Sequence, residues 1–333
     1  MTLETLSAWS DLLAFSAAAV YVVALIFYSV DISSATARRP AKQRTRTLVT
    51  AGSLDTAPTD DPPLAVNASA GGDQEFAYRG PRRLWARLGV AMTVLAFGLH
   101  LAAVITRGLA AERVPWGNLY EYFLTGSVAI VGVYLVITIK RDIRFLGAVV
   151  TSVALLMLCA ATIGFPTPVS PLIPALQSPW ILIHVSVAAL GTAVFAIAFC
   201  LAILTLVRNA VTKRDPRQER RLSKVLSHLP STRALDRFSY RLNAVGFIMW
   251  TFTLIAGAIW AQEAWGRYWG WDPKEVWTFI TWIIYAAYLH ARATRGWSES
   301  RVAWITILGF TSIIFNSTIV NMYFSGLHSY SGV

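Results

Sequence analysis

Long apolar stretches separated by short polar ones dominate the pattern of this chain. A helix needs about 20 mostly apolar residues to cross the hydrocarbon core of a bilayer, and eight stretches approach or exceed that length. The predicted spans are 11–30, 86–107, 119–139, 143–164, 180–207, 242–262, 275–292 and 302–324. The pattern therefore predicts an all-α polytopic bundle of about eight transmembrane helices embedded in the lipid bilayer.

Two polar segments interrupt this pattern. Residues 31–83 contain many prolines, glycines and charges with little apolar periodicity, which predicts a flexible basic cytoplasmic loop. The chain would then divide into a first transmembrane helix at 1–30, this loop, and a transmembrane domain at 84–333. Residues 217–241 alternate cations with apolar positions at helical spacing. That spacing predicts an amphipathic helix lying on an anionic membrane surface.

The lysines and arginines of the chain are concentrated in alternate loops. A formal net charge of +11 would also suit a nucleic-acid-binding protein. However, 25 of the 29 lysines and arginines fall in alternate loops, as expected of the cytoplasmic loops of a membrane protein. The charge therefore indicates orientation and not nucleic-acid binding, and both termini are expected on the outer side. The exceptions on that side are Arg107, Arg113, Arg267 and Lys274.

The sequence indicates neither a removable signal peptide nor thiol chemistry. Glu4 and Asp11 stand where a signal peptide would carry cations, so we expect the first helix to be retained. Cys159 and Cys200 lie apart within apolar stretches. This spacing fits no disulfide framework, redox pair or zinc site.

The most unusual segment precedes and enters the seventh span on the outer side. Six of the 13 tryptophans lie between Trp260 and Trp282. Aromatic residues collect at membrane interfaces, which accounts for some of them. It does not account for the two glycines within the cluster or for the charged run at 272–275. A rigid, flat aromatic surface at this level would suit a large planar ligand with one polar edge, and haem is the candidate.

Two histidines are predicted at the level of this segment. His184 follows the start of the fifth span closely, within about 8 Å of the outer end at 1.5 Å per residue. His328 follows the last span. Imidazole is a common axial ligand of haem iron, so both are candidate ligands. A single histidine in a helix is often only a satisfied polar group, but ionisable residues in membrane spans are usually functional.

The other three histidines are expected elsewhere. His290 lies near the cytoplasmic end of the seventh span, about 20 Å along the axis from Trp277. The residues alone leave open whether it is an interfacial anchor beside Arg292 or a functional group. His100 lies about two thirds of the way outward on the second span, at the wrong depth to pair with His290, and is predicted to be structural. His228 lies in a basic loop and is predicted to be solvated.

These features resemble the CcsA/ResC family of cytochrome c biogenesis proteins, in its actinobacterial CcsB-type form. Residues Gly257–Trp277 are similar to the family's WWD signature, and Leu289–Arg292 and His328–Tyr330 are similar to its histidine motifs. Two upstream segments, Pro115–Glu121 and Pro171–His184, also resemble family segments. The likeness covers most of the chain after its long polar loop.

The resemblance implies a haem-handling subunit of the type II maturation system in the bacterial cell membrane, with the thylakoid membrane as a less favoured location. It implies haem b as the substrate, His184 and His328 as axial ligands of its iron, and His290 as an inner haem ligand. No residue receives a definite catalytic role. The remaining haem-binding residues would be Trp265, Arg267, Trp269, Trp271, Asp272, Lys274, Glu275 and Trp277.

The implied activity is attachment of haem vinyl groups to the CxxCH thiols of apocytochrome c, as part of a cytochrome c synthase. The expected partners are a ResB/Ccs1-type membrane subunit, apocytochrome c and a thiol-disulfide oxidoreductase. The chain has no CxxCH motif, so it is not itself a c-type cytochrome. The alternative is a haem transporter or chaperone without attachment chemistry. A b-type electron-transfer subunit is disfavoured, because an open aromatic surface buries a permanent haem poorly.

The charged residues of the Trp segment have two interpretations. Arg267 and Lys274 would pair with the haem propionates, one or both of them, because these anions need partners at a low-dielectric surface. Asp272 and Glu275 either cap the seventh helix, whose N-terminus attracts anions, or contact haem directly. The sequence leaves both roles open for the two acids.

Overall fold

The computed structural model describes residues 2–37, 76, 83–172, 174–212, 229–294 and 296–328. Over these residues the fold is all-α and contains no strand. In chain order, the long helices are α1 (Leu3–Ala37), α2 (Leu84–Ala111), α3 (Leu119–Lys140), α4 (Gly147–Cys159), α5 (Trp180–Thr212), α6 (Thr232–Trp265), α7 (Pro273–Ala293) and α8 (Glu299–Phe315). The predicted all-α membrane bundle is confirmed.

Short helical turns extend several of these helices. A 3₁₀ turn at Arg144–Leu146 precedes α4, a π-helical turn at Ala160–Gly164 follows it, and a second 3₁₀ turn at Pro174–Leu176 precedes α5. After α8, a π-helical turn at Asn316–Val320 leads into a last turn at Asn321–Tyr323. Turns of the π type are rare and often occur at functional sites.

Seven helical segments of the described chain are long and apolar enough to cross a membrane. The eighth predicted span, α7, is 21 residues long but is absent from that set. Its tryptophans, tyrosines and charged residues lower its mean hydropathy, although its length suffices. It packs between α6 and α8, which supplies a protein environment for its polar groups.

Two helix boundaries differ from the sequence prediction. Helix α1 continues through Ala37, into the stretch expected to be loop. Residues 232–241, expected to form part of a surface helix, are instead the first turns of α6. The predictions for residues 38–75, for 213–228 and for His228 fall outside the described residues.

The bundle is held together by close helix contacts. Helix α1 packs along α2 and α4, while α5 packs against α6, α3 and α8. Glycines permit some of these approaches, as is common between membrane helices. The ring of Tyr28 on α1 lies against Gly89 and Gly147, where an added Cβ would overlap it. His100 is fully buried, 3.4 Å from both Tyr21 Oη and Ser127 Oγ, as expected of a structural residue.

Both ends of the described chain lie at one end of the bundle. Tyr120 Oη, at the start of α3, donates a 2.7 Å hydrogen bond to Asp11 Oδ1 near the start of α1. His328 contacts Asp272 at the start of α7. We call this end of the bundle the outer end, following the charge pattern. Arg141 and Arg292 lie at the opposite end of their helices, as the alternation of charge predicts.

Candidate functional site

A cavity of about 240 Å³ lies at the outer end of the bundle, among α3, α5, α6, α7 and the turns after α8. Its inner wall consists of small and aliphatic side chains of α5 and α6, namely Val185, Ala188, Ala189, Leu254 and Ala258. Its outer wall is aromatic and contains Trp116, Trp260, Trp265, Tyr268 and Trp269. His184 and His328 both line it. The two predicted ligands therefore share one apolar cavity.

Several polar atoms of the cavity-lining residues lack hydrogen-bond partners. Nε1 of Trp260 is buried and has no partner within the described residues, and the same is true of Asn118 Nδ2 and Asn316 Oδ1. His184 and Tyr122 do have partners, which are the backbone of Thr253 and the side chain of Ser317. Leaving a buried polar atom unpaired costs about 1–3 kcal/mol. The concentration of unpaired atoms around one cavity is typical of a site whose ligand supplies contacts that the protein alone lacks.

His184 lies in the second turn of α5 and packs edge-on against Trp260, with ring centroids 5.6 Å apart. Gly257 of α6 faces the imidazole. A Cβ built on Gly257 would approach His184 Cε1 to 2.9 Å, which is closer than real Cβ contacts. The missing side chain at Gly257 thus provides the space that the His184 ring occupies.

His328 is fixed by a carboxylate from a distant part of the chain. Its Nδ1 donates to Asp272 Oδ1 at 2.9 Å, while Asp272 Oδ2 accepts from the backbone N–H of Leu327 at 2.6 Å. The ring lies edge-on to Trp265, with centroids 4.7 Å apart. Because Nδ1 is the donor in this pair, Nε2 is the ring nitrogen that would ligate a metal.

Asp272 also starts α7. Its side chain accepts from the backbone N–H of Lys274 at 3.0 Å, and it forms a capping box with Glu275. Burial alone would raise the pKa of Asp272, but the hydrogen bond and charge of His328 and the two backbone amides lower it to about 2. The carboxylate is therefore ionised at neutral pH. The capping role left open for the two acids is present.

Glu275 holds together the loop that carries the tryptophans. Its Oε2 accepts from the backbone N–H groups of Gly270 at 2.8 Å and Asp272 at 3.1 Å. Its Oε1 lies 3.2 Å from Arg267 Nη1. Arg267 is thus paired within the loop, which argues against its expected pairing with a propionate. Lys274 instead directs its Nζ to Asn321 Oδ1, at 3.0 Å.

The aromatic surface differs in shape from the flat one expected. The rings of Trp269 and Trp271 meet edge to face at 87°, and Trp271 is 74% exposed. Trp271 has a φ of 60°, in the left-handed region that bulky residues rarely adopt. Trp277 packs on Phe315, with centroids 4.4 Å apart, and does not line the cavity. Of this segment, Trp260, Trp265 and Trp269 thus form a curved wall of the cavity, whereas Trp271 and Trp277 are not part of its lining.

His290 is separate from this cavity. It lies near the other end of α7, on an exposed face of that helix. Phe279 and Ile283 are exposed on the same face, at 40% and 46%. The ring of Phe279 in turn contacts Trp269, with centroids 6.2 Å apart. An exposed apolar strip therefore leads from His290 to the cavity wall.

A buried charge cluster, not predicted from the sequence, supports the opposite wall. Glu121 is fully buried and accepts from Arg107 Nε at 3.3 Å, Arg113 Nη1 at 2.8 Å and the backbone N–H of Gly117 at 2.7 Å. Arg107 also donates to Thr167 O at 2.6 Å. The sequence feature that could have revealed this cluster is the presence of Arg107 and Arg113 among only four cations on the outer side.

Comparison with known proteins shows which family this chain belongs to. A family model described as Cytochrome C assembly protein matches residues 116–328. A cytochrome c biogenesis protein CcsA from Guillardia theta is 37% identical over 258 residues, which cover 73% of this chain and 85% of that protein. The chain belongs to the cytochrome c assembly (CcsA) family. The CcsA of Microcystis aeruginosa is 35% identical over 284 residues, covering 73% of this chain and 86% of its own.

As a CcsA-family member, the chain is a multi-pass membrane protein with a role in cytochrome c maturation. The family match begins at Trp116 and ends at His328. Every residue assigned to the cavity wall lies within these limits, whereas α1 and α2 precede them. The cavity is therefore a feature of the part of the chain that matches the CcsA family.

Proposed function

We propose that the cavity binds haem between His184 and His328 and presents it for covalent attachment to the CxxCH motif of apocytochrome c. The observation that carries this proposal is the meeting of two histidines, with several unpartnered polar atoms, in one apolar cavity of a CcsA-family chain. The proposed location is the bacterial cell membrane, with the site facing outward. The chain would then act as part of a cytochrome c synthase.

The size of the cavity favours a ligand that is transferred to another protein over a permanently bound cofactor. Its volume of about 240 Å³ is below the roughly 300–1,000 Å³ of pockets that enclose drug-sized ligands. Part of a haem would therefore extend through the mouth, past the aromatic wall. A resident cofactor is normally buried more completely, whereas a substrate awaiting transfer needs an accessible edge.

The residues of the chain have positioning roles in this proposal. His184 and His328 hold the iron, Asp272 fixes the His328 ring, and the tryptophans exclude water from the porphyrin faces. Each thioether forms when a cysteine S–H adds across a vinyl double bond, with sulfur on one carbon and hydrogen on the other. No net oxidation occurs, so the step needs no oxidant. The cysteines of the apocytochrome are the nucleophiles, so the chain needs none of its own. Its contribution is orientation and proximity.

We further propose that haem reaches the cavity along the exposed face of α7 from His290. A haem held at that face would lie partly outside the chain, because His290, Ile283 and Phe279 are exposed. A second membrane subunit of the ResB/Ccs1 type would cover it and supply the opposite ligand. The thiol-disulfide oxidoreductase would keep the CxxCH thiols of the apocytochrome reduced.

Co-expression with a ResB-type partner and a CxxCH reporter tests this proposal. Wild type is compared with His184→Ala, His328→Ala and His290→Ala, and with His100→Gln as a histidine control away from the cavity. Covalent haem on the reporter and haem retained by the purified protein are both measured. We expect the His184 and His328 variants to lose both, and His290→Ala to lose attachment because haem does not reach the cavity.

Two outcomes decide against the mechanism. Covalent haem in all three variants at the wild-type level would exclude the histidines from it. Haem retention without attachment, even by wild type with its partner, would favour the alternative of a haem transporter or chaperone.

Gly257→Ala is expected to weaken haem binding through His184. The added methyl group would approach His184 Cε1 to 2.9 Å and displace the ring, and such overpacking costs about 1–3 kcal/mol, so retention should fall about fivefold or more. Gly98→Ala is the control, since a methyl group there meets nothing within 4 Å. Equal haem content in the two variants, measured by absorbance per protein, would contradict the assigned position of His184.

A further inference from the structure

Lys274 places a cation at the wall of the cavity. Among the described residues that line the cavity, it is the one lysine or arginine. It lies in the first turn of α7, and its Nζ donates to Asn321 Oδ1 at 3.0 Å. Asn321 also lines the cavity, as do Asn316 and Ser317. One corner of a largely apolar cavity thus carries a cation surrounded by amide and hydroxyl groups.

The π-helical turn after α8 builds this corner. Its i→i+5 spacing separates Asn316 from Asn321 by a single turn, so both residues reach the cavity wall. Asn316 Nδ2 donates to Thr278 Oγ1 at 2.9 Å, and Asn316 Oδ1 is buried without a partner. The corner is therefore preorganised by contacts between α7 and the turn, yet its hydrogen-bonding capacity is not exhausted.

The nearby acids have several partners. Glu275 accepts from Arg267 and from two backbone amides, so the Arg267–Glu275 pair is neutral in itself and belongs to the loop. Asp272 accepts from His328 and from the backbone N–H groups of Leu327 and Lys274, and it also attracts the Lys274 ammonium. Lys274 is nevertheless the cation whose side chain lines the cavity among the described residues.

We propose that Lys274 and Asn321 form a subsite for the propionate carboxylates of the porphyrin. This proposal rests on haem binding in the cavity and specifies how the haem is oriented there. A carboxylate placed in an apolar cavity needs charge-assisted hydrogen bonds to offset its lost hydration. The propionate edge faces the corner between α7 and the π-helical turn. The vinyl-bearing part of the ring is thereby directed away from this corner, where cysteines can reach it.

Haem and its dimethyl ester, in which both propionates are esterified, are suitable probes for this subsite. The purified full-length protein is titrated with each porphyrin, and the dissociation constant is measured from the Soret absorbance. Wild type is compared with Lys274→Gln, Lys274→Arg and, as the control for the neighbouring cation, Arg267→Gln.

We expect wild type to bind haem about tenfold or more tightly than the ester, because hydrogen bonds to charged groups are the stronger class. Lys274→Gln should lose this preference by weakening haem alone, while Lys274→Arg should keep most of it and Arg267→Gln nearly all. Unchanged binding of the ester by Lys274→Gln verifies that the variant is folded.

The outcomes separate this proposal from the one on which it rests. A wild type that binds both porphyrins equally, through His184 and His328, overturns the carboxylate subsite and leaves haem binding intact. A preference for haem that persists in Lys274→Gln also overturns it. A wild type that binds neither porphyrin overturns the proposed function itself.

Discussion

Glu121→Ala is expected to destabilise the protein strongly. Glu121 is fully buried and forms ion pairs with two arginines, of which Arg107 is only 1% exposed. Removing one partner of a buried ion pair typically costs about 3–5 kcal/mol, because the remaining charge is left uncompensated. At about 1.4 °C per kcal/mol for a chain of this length, the midpoint of thermal unfolding should fall by about 4 °C or more.

The same substitution should distort the cavity. Glu121 joins Arg113 and Gly117 of the loop before α3 to the end of α2, and Arg107 extends the contact to Thr167. Trp116 and Asn118, on either side of Gly117, line the cavity. Haem retention is therefore expected to fall together with stability.

Glu112→Ala provides the matched control for Glu121→Ala. Glu112 is also an acid near the outer end, but it lies at the C-terminal cap of α2 and is exposed, so its removal should shift the unfolding midpoint little. Thermal unfolding of both variants is measured in the same detergent. A Glu121→Ala protein as stable as Glu112→Ala would contradict the assignment of Glu121 as the centre of the charge cluster.

The helices were predictable because the bilayer restricts the backbone. Lipid cannot satisfy peptide N–H and C=O groups, so each long apolar stretch must be helical. The sequence also predicted α7, as the mostly apolar stretch 275–292, although its composition excludes it from the strictly apolar spans. The ends of α1 and α6 were misjudged because helices continue beyond the hydrocarbon core, where amphipathic turns no longer differ in composition from surface segments.

The position of the site at one end of the bundle was predictable, but the contacts within it were not. Spans and charge bias placed His184, His328 and the tryptophans at one end of the bundle. The bond between His328 and Asp272 joins residues 56 positions apart, which no local pattern encodes. The orientation of each indole depends on loop conformation, including the left-handed backbone of Trp271. Asn316 and Asn321 were missed because the π-helical turn alters which residues share a face.

Asp272→Ala is expected to reduce haem retention about 10- to 100-fold, the usual effect of removing the partner that orients a metal-ligating histidine. The substitution removes the acceptor of His328 Nδ1 and the acceptor of the Leu327 N–H. Leu327 and His328 would then be held less firmly at the cavity wall. Gly326 is part of this arrangement, since a Cβ there would overlap Asp272 Oδ2.

Asp272→Asn separates geometry from charge. The amide oxygen can still accept from His328 and from the start of α7, so folding should be retained, although the amide NH2 cannot accept from the Leu327 N–H and that one hydrogen bond is lost. The amide cannot supply the negative charge that raises the basicity of the imidazole. A less basic ligand stabilises ferric haem less, so the midpoint potential of bound haem should be higher than in wild type, with only part of the haem lost.

Glu275→Gln distinguishes these effects from helix capping, because it weakens the capping box without touching His328. Asp272→Ala and Glu275→Gln should impair the start of α7 by similar amounts, since a lost cap typically costs about 1 kcal/mol. Retention can also fall in Glu275→Gln, because Glu275 holds the loop that carries the tryptophans, but only the Asp272 variants should also shift the potential of bound haem. Equal loss of haem with an unchanged potential in all three variants would assign Asp272 to helix capping alone. A potential that rises in Asp272→Asn and not in Glu275→Gln would instead identify Asp272 as the residue that tunes His328 for the iron.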